Sequence, residues 1–593
     1  MIKFNRREFM QASTASLVLE SAKGSASPGG PAKADETATP KVISVADFGA
    51  VPNDGKDHRT AITAAVAKVR QTPGATLLIP PGTYNVRSAP GIKLLDDLIC
   101  GRVGWEKVQA IRYPEYQIGL DFSDLDDVTI DATGVELVCE GLMEPVNLCR
   151  CHRVTLKGLS IRYLRSPNSF GTIARVDNDS YDVVFDHDTP VGKEFFSWRV
   201  MIVHPVSERL SFIGNQRGEE IAPNVRRFHQ NLPAELKGAR VGFGHVALYR
   251  PGVTIQDSEA VLLKQVTVFE QCGTGILGWH CKDISLDGVR VTPIPGRPTS
   301  VCGDSTHFVS CSGEIRFEGC QFSGAADDGT NIHNYYYNLG AARGEKTRDL
   351  VVNTNWHNTH LGIVDAPEVG DKLALVDAAS EQELDTFTIT GVKVVPKEWR
   401  AEVTFDRELP ADADRRLLVN ITRFPRVTIR NCSVVNNRAR GFLIKTGPAL
   451  IENCFFSNVT GTPIQMGSEM EWMEGHHVHD IVIRNNRFFN CSYGEANLDD
   501  AGCVSILSRS ADRSVPGLNK NLLIEDNLCE SPDKHAFVIG SSDNVIIRRN
   551  HITGCPEPIY VYQSTRVRAD DNYGAKLTAG RSCQTIPVAR SCS

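Results

Sequence analysis

The sequence predicts an all-β protein: a right-handed parallel β-helix (a solenoid) with two inserted small antiparallel β-barrel domains. Three observations lead there. Short apolar runs ending in Gly, Asn or another turn-compatible residue recur along most of the chain. Their spacing is 22 residues from Asn431 to Asn453 and 23 from Asp526 to Arg549, the period of one solenoid coil. Two stretches, about 165–250 and about 335–422, break that period.

The runs include Val154-Thr155-Leu156-Lys157-Gly158, Ile284-Ser285-Leu286-Asp287-Gly288, Val427-Thr428-Ile429-Arg430-Asn431 and Ile481-Val482-Ile483-Arg484-Asn485. Each alternates apolar and polar residues, as a strand with one buried face must. Gly and Asn at the run ends suit turns that need positive φ. Leucine-rich repeats share the period, but their Leu-rich consensus and helices are missing here.

Along the chain, residues 1–40 read as an export signal and linker. Asn5-Arg6-Arg7-Glu8-Phe9-Met10-Gln11 matches the twin-arginine pattern, and a weakly apolar stretch and small residues follow it. The expected location is therefore periplasmic or secreted. Residues 41–164 hold Val45-Ala46-Asp47-Phe48-Gly49-Ala50, a helical stretch Thr60–Val69 and Leu77-Leu78-Ile79-Pro80-Pro81-Gly82-Thr83-Tyr84. That arrangement resembles the N-terminal cap of the pectate-lyase-like β-helix superfamily, leading into the first coils. A helix there covers the open end of the solenoid, whose unpaired strands otherwise invite association. Residues 165–250 and 335–422 alternate like antiparallel strands, as in Lys372-Leu373-Ala374-Leu375-Val376, and each is long enough for a small barrel. Coils carrying the chemistry occupy 251–334, and C-terminal coils and a tail occupy 423–593.

Composition narrows the function classes. Lys+Arg 64 against Asp+Glu 71 gives a net charge of −7, with no basic excess to hold nucleic acid. No apolar run is long enough for a membrane span. The 17 cysteines lack close zinc-type pairing; Cys302, Cys311 and Cys320 fall nine apart, so buried, stacked thiols are expected. Neither metal nor cofactor is expected.

The densest polar constellation runs from Gly296 to His333. Asp304 precedes Asp327 by 23 residues and Asp328 by 24, one coil, so these acids should meet on one face of neighbouring coils. Clustered carboxylates push their pKa values apart, leaving one protonated and another ionised, as acid–base hydrolysis needs. Asp-Asp-Gly is also a common turn.

The blocks Glu270-Gln271-Cys272-Gly273-Thr274-Gly275-Ile276, Gly296-Arg297, Asp304-Ser305-Thr306-His307-Phe308, Asp327-Asp328-Gly329-Thr330-Asn331-Ile332-His333, Asn437-Arg438-Ala439-Arg440-Gly441 and Trp472-Met473-Glu474-Gly475 resemble the bacterial α-1,3-galactosidase family of β-helix glycosidases. The resemblance implies an inverting exo-hydrolase of terminal α-linked galactose, with two small barrels inserted in the helix. It implies Asp304, Asp327 and Asp328 as catalytic: Asp327 as the general acid, Asp304 and Asp328 positioning and deprotonating a water, the roles of 327 and 328 being exchangeable, with about 6.5–9.5 Å between acid and base. Arg297, His307, Asn331, His333, Arg438, Arg440, Trp472 and Glu474 are candidate substrate ligands. Arg438 and Arg440 can instead pair with buried acids, and Trp472 and Trp279 can stack on a sugar or pack in a core. His476-His477-Val478-His479 is expected on an exposed rim rather than at a metal. Two departures stand out: Asn334 after His333, and Glu469-Met470-Glu471 where the family carries a different stretch. Alternatives on the same fold are a polysaccharide lyase, a polygalacturonase-like hydrolase, and a non-catalytic carbohydrate-binding helix.

Overall fold

The computed structural model describes residues 41–104, 116–214, 216–246, 249–352, 364–494 and 501–580. The twin-arginine segment lies outside them. A typical coil supplies three short parallel strands. One joins a 12-stranded sheet; the other two join a 22-stranded sheet that bends at the turn between them. In one coil, Arg426–Arg430 and Ser433–Asn437 flank Asn431, whose φ is 54°. Asn453, Asn485, Asp526 and Arg549 repeat that left-handed turn in later coils, with φ between 53° and 58°.

Parallel, in-register pairing turns the sequence repeat into columns. Ile429, Ile451, Ile483, Ile524 and Ile547 pair in succession and are fully buried. Each such side chain contributes about 1.5–3 kcal/mol of burial, so the column is a large share of the core in this region. The helix Arg59–Val69 lays Ile62, Ala65, Val66 and Val69 on the same core. A second helix, Ala89–Ile99, was not legible as part of the cap; Ser88 Oγ caps it by accepting the Gly91 N–H at 3.0 Å.

The period breaks where the chain leaves the solenoid. Between Asn168 and Gly244, eight antiparallel strands enclose their own core of Tyr181, Phe195, Phe228 and Phe243. Among the described residues that strand order is open-ended. Between Tyr336 and Asn420, six antiparallel strands close into a barrel around Leu373, Phe387, Val403 and Phe405. The barrel core runs on into the solenoid wall through Trp279, Val309 and Tyr335. The described cysteines are free and mostly buried, and the Cys320 N–H donates to Cys432 Sγ at 3.3 Å in the next coil. Among the described residues no helix is long and apolar enough to cross a membrane.

Candidate active site

Register builds the site. Thr306–Val309 pairs with Thr330–His333, which pairs through its first three residues with Phe442–Ile444. Two residues before each strand stand Asp304, Asp328 and Arg440, so these three stack on successive coils. Asp327 lies beside the stack. Close coil approach is required at this turn. A Cβ on Gly329 would meet the Gly441 carbonyl oxygen at 2.5 Å, and one on Gly441 would meet that of Pro463 at 2.3 Å. The Asp328 N–H donates to Asp304 Oδ1 at 3.0 Å, and oxygens of Asp304, Asp327 and Asp328 lie within 4.8 Å of one another. That is closer than the spacing expected from the sequence, because the acids stack directly rather than facing each other across a cleft.

The three acids differ in charge. Asp327 faces Arg199 at 2.8 Å and Arg438 at 3.3 Å. Burial raises its pKa, but Arg199, Arg438 and Arg440 together outweigh that and hold it at about 2. Asp328 accepts the Arg440 backbone N–H at 2.8 Å and meets its guanidinium at 3.3 Å. Burial nevertheless pushes Asp328 well above the usual carboxylate range; Arg440 pulls it back, while Asp304 and Asp327 add to the rise. Asp328 is therefore the member of the pair that favours the proton, and Asp327 the member that favours the charge. Asp327 is the open member of the pair, its side chain 25% exposed against 4% for Asp328.

Behind the acids lies a buried charged floor. Lys445 pairs with Glu469 at 2.9 Å and also with Glu474, and Arg440 reaches Glu469 at 3.3 Å. Lys445 is held charged because Glu469 and Glu474 outweigh its desolvation. Burial raises Glu469, but Lys445, Arg440 and Arg509 bring it to about 2. Asn331 donates to Glu474 at 3.4 Å. His307 and His333 are buried against each other and Asp304, so they face the acids' rear rather than an open cleft.

The remaining candidates divide. Arg438 and Arg440 join the acids directly. Arg297 is committed to Glu270 and to Asp188 at 2.6 Å, tying the first insertion to the solenoid. Trp279 is buried in the barrel core, whereas Trp472 is 44% exposed on the one-turn helix Met470–Trp472 beside Glu469. The expected exposed rim at His476 and His477 is corrected. Both are buried, against Glu383 at 2.9 Å and Glu381 at 3.4 Å, because the second insertion covers them. Glu383, His476 and His477 bring three ligand-type atoms within 4.8 Å of one another. At the acids, by contrast, arginines already supply the cationic charge. Sequence reasoning missed Arg199, Lys445 and Gln465, which donates to Glu469 at 2.7 Å. Lys445 carried a signal: a charge directly after the apolar strand Phe442–Ile444 must point at a partner. Arg199 carried none.

Residues 418–574 match the family model described as "Right handed beta helix region". Over 537 residues the chain is 27% identical to Alpha-1,3-galactosidase A of Bacteroides fragilis, covering 86% of this chain and 87% of the relative. It is 26% identical to Alpha-1,3-galactosidase A of Shewanella woodyi over 566 residues, covering 88% and 86%. Alpha-1,3-galactosidase B of Bacteroides thetaiotaomicron is 26% identical over 532 residues, covering 83% and 82%. Sequence similarity over most of the chain, together with the solenoid, makes this protein similar to relatives named alpha-1,3-galactosidases.

Proposed function

We propose that this protein is an exo-acting glycoside hydrolase that removes terminal α-linked galactose from glycans with inversion, acting after export to the periplasm or beyond. The observation that carries the reading is a cluster of three carboxylates with oxygens within 4.8 Å of one another, in which burial pushes Asp328 up while arginines hold Asp327 at about 2. The names of the relatives support the sugar and the linkage.

In this mechanism the Asp327–Asp328 pair is the acid. Its proton starts on Asp328, and Asp327 is the exposed member that the glycosidic oxygen reaches. Asp304 is the base. A water oxygen bonds to C1 and its proton passes to Asp304, while the C1–O bond breaks and the leaving oxygen takes the pair's proton. Spacing within 4.8 Å falls below the about 6.5–9.5 Å of widely separated inverting pairs and near that of retaining ones. Covalent attack is disfavoured here because the candidate nucleophiles are engaged. Asp304 accepts from the Asp328 N–H and from His307, and Asp327 faces two guanidinium groups. Arg440, Glu469 and Glu474 are assigned to sugar hydroxyls, and Trp472 to stacking on the ring.

The test is turnover of terminal α-galactosides, with the first anomer identified by NMR. Release of β-galactose is expected; α-galactose as first product overturns inversion, and no release from any α-galactoside overturns the reading. Asp327→Asn and Asp328→Asn should each lower turnover by about 10²–10⁴-fold. An activated aryl leaving group should rescue whichever variant lost contact with the leaving oxygen, and should not rescue Asp304→Asn.

A further inference from the structure

Hydrogen bonding around His307 determines where its protons lie. His333 Nδ1 faces the Asn334 carbonyl oxygen at 3.1 Å, and a carbonyl only accepts, so that nitrogen carries a proton. Burial keeps the His333 ring neutral, at about 3, although Glu474 pulls the other way. A neutral ring protonated at Nδ1 presents a lone pair at Nε2. His307 Nε2 lies 2.8 Å from it and must donate. The other nitrogen of His307, Nδ1, lies 2.6 Å from Asp304 Oδ2. Two bare lone pairs do not approach so closely, and a second proton therefore lies between them.

Resting on the hydrolase reading above, we infer that His307, aligned by His333, is a positioning residue that keeps a proton against Asp304 and so holds Asp304 as the ionised base. Three further observations agree. Asp304 Oδ1 accepts the Asp328 N–H at 3.0 Å, an arrangement that also favours the anion. The charged groups around the pair are Asp327 and Asp328 from the next coil, Arg440 from the coil beyond, and Glu474 and Lys445 behind His333. Arg440 acts on Asp304 as well, but its guanidinium meets Asp328 and Glu469, whereas the His307 ring touches Asp304 directly. During turnover the His307 proton stays in place; Asp304 gains the proton lost by water and returns it to solvent.

The experiment uses the full chain and an aryl α-galactoside. In wild type, the low-pH limb of kcat/KM reports the ionised base. Removing an opposite charge in direct contact favours the neutral carboxyl. His307→Gln should therefore move that limb to higher pH, with a smaller effect on the high-pH limb. His333→Gln, whose side-chain oxygen still accepts the His307 Nε2–H, should keep the wild-type limb, whereas His333→Leu should shift it. A packing role alone would lower thermal stability without moving either limb, and unmoved limbs, or Gln and Leu behaving alike at 333, overturn the inference. If wild type hydrolyses no α-galactoside, the hydrolase reading fails separately. Nitrogen-15 NMR of histidine-labelled protein, assigned against His307→Gln, then decides the inference. A doubly protonated His307 ring at pH 7 beside an Nδ1–H His333 supports it; a neutral His307 ring overturns it.

Discussion

Asp328→Asn should remove most activity and yet stabilise the fold, increasingly so as pH rises. Asp328 is buried, and its folded-state pKa lies well above the ordinary 3.8, through burial first and then, against Arg440, through Asp304 and Asp327. The folded protein therefore keeps a proton that the unfolded chain gives up above about pH 3.8. Stability tied to this group is fully present below that pH and falls as pH rises toward the folded value. The slope for one proton is about 1.4 kcal/mol per pH unit. Asn is isosteric with the protonated acid, keeps an oxygen to accept the Arg440 N–H at 2.8 Å, and binds no proton of its own. Its advantage over Asp should therefore grow by about 2.7 kcal/mol between pH 5 and 7, provided Asp328 stays protonated throughout. Urea midpoints and m-values of both proteins at pH 5, 6 and 7 measure this, since titrations common to the two cancel in the difference. A pH-independent difference would refute the reasoning, because it would mean that folded Asp328 ionises like a free carboxylate.

Other consequences are as direct. Arg199→Ala removes the nearer of the two cations on Asp327, so its pKa should climb from about 2 by about one to three units. The stabilising contribution of ionised Asp327, present above about pH 3.8 and lost as pH falls through about 2, should then fade at higher pH, measurable by acid unfolding curves. Gly441→Ala places a methyl 2.3 Å from the Pro463 carbonyl oxygen and should cost about 1–3 kcal/mol in urea unfolding while displacing Arg440 and lowering turnover. Replacing Arg6 and Arg7 together by Lys should leave the protein in the cytoplasm; unchanged periplasmic recovery in cell fractionation would count against the export proposal.

The coil period and the meeting of Asp304 with Asp328 were legible in the sequence for one reason. In a parallel solenoid, residues one period apart stack, so sequence distance translates directly into spatial contact. Positive-φ turns at Asn431, Asn453 and Asn485 were legible for a related reason, since the turn's demand on φ is local. The insertions were visible as breaks in that regularity, but where their side chains return to the solenoid was not. Arg199 reaches Asp327 from within the first insertion, and the second insertion buries His476 and His477, which sequence alone placed on an exposed rim. Arg297 reaches Asp188 and Trp279 packs into the barrel core, contacts with the insertions that the linear period does not show. Protonation, too, is decided by tertiary structure. Whether an Asp carries a proton depends on its burial and on every charge packed around it. Those charges here come from Arg199, Arg438 and Arg440, groups that a linear period does not bring together.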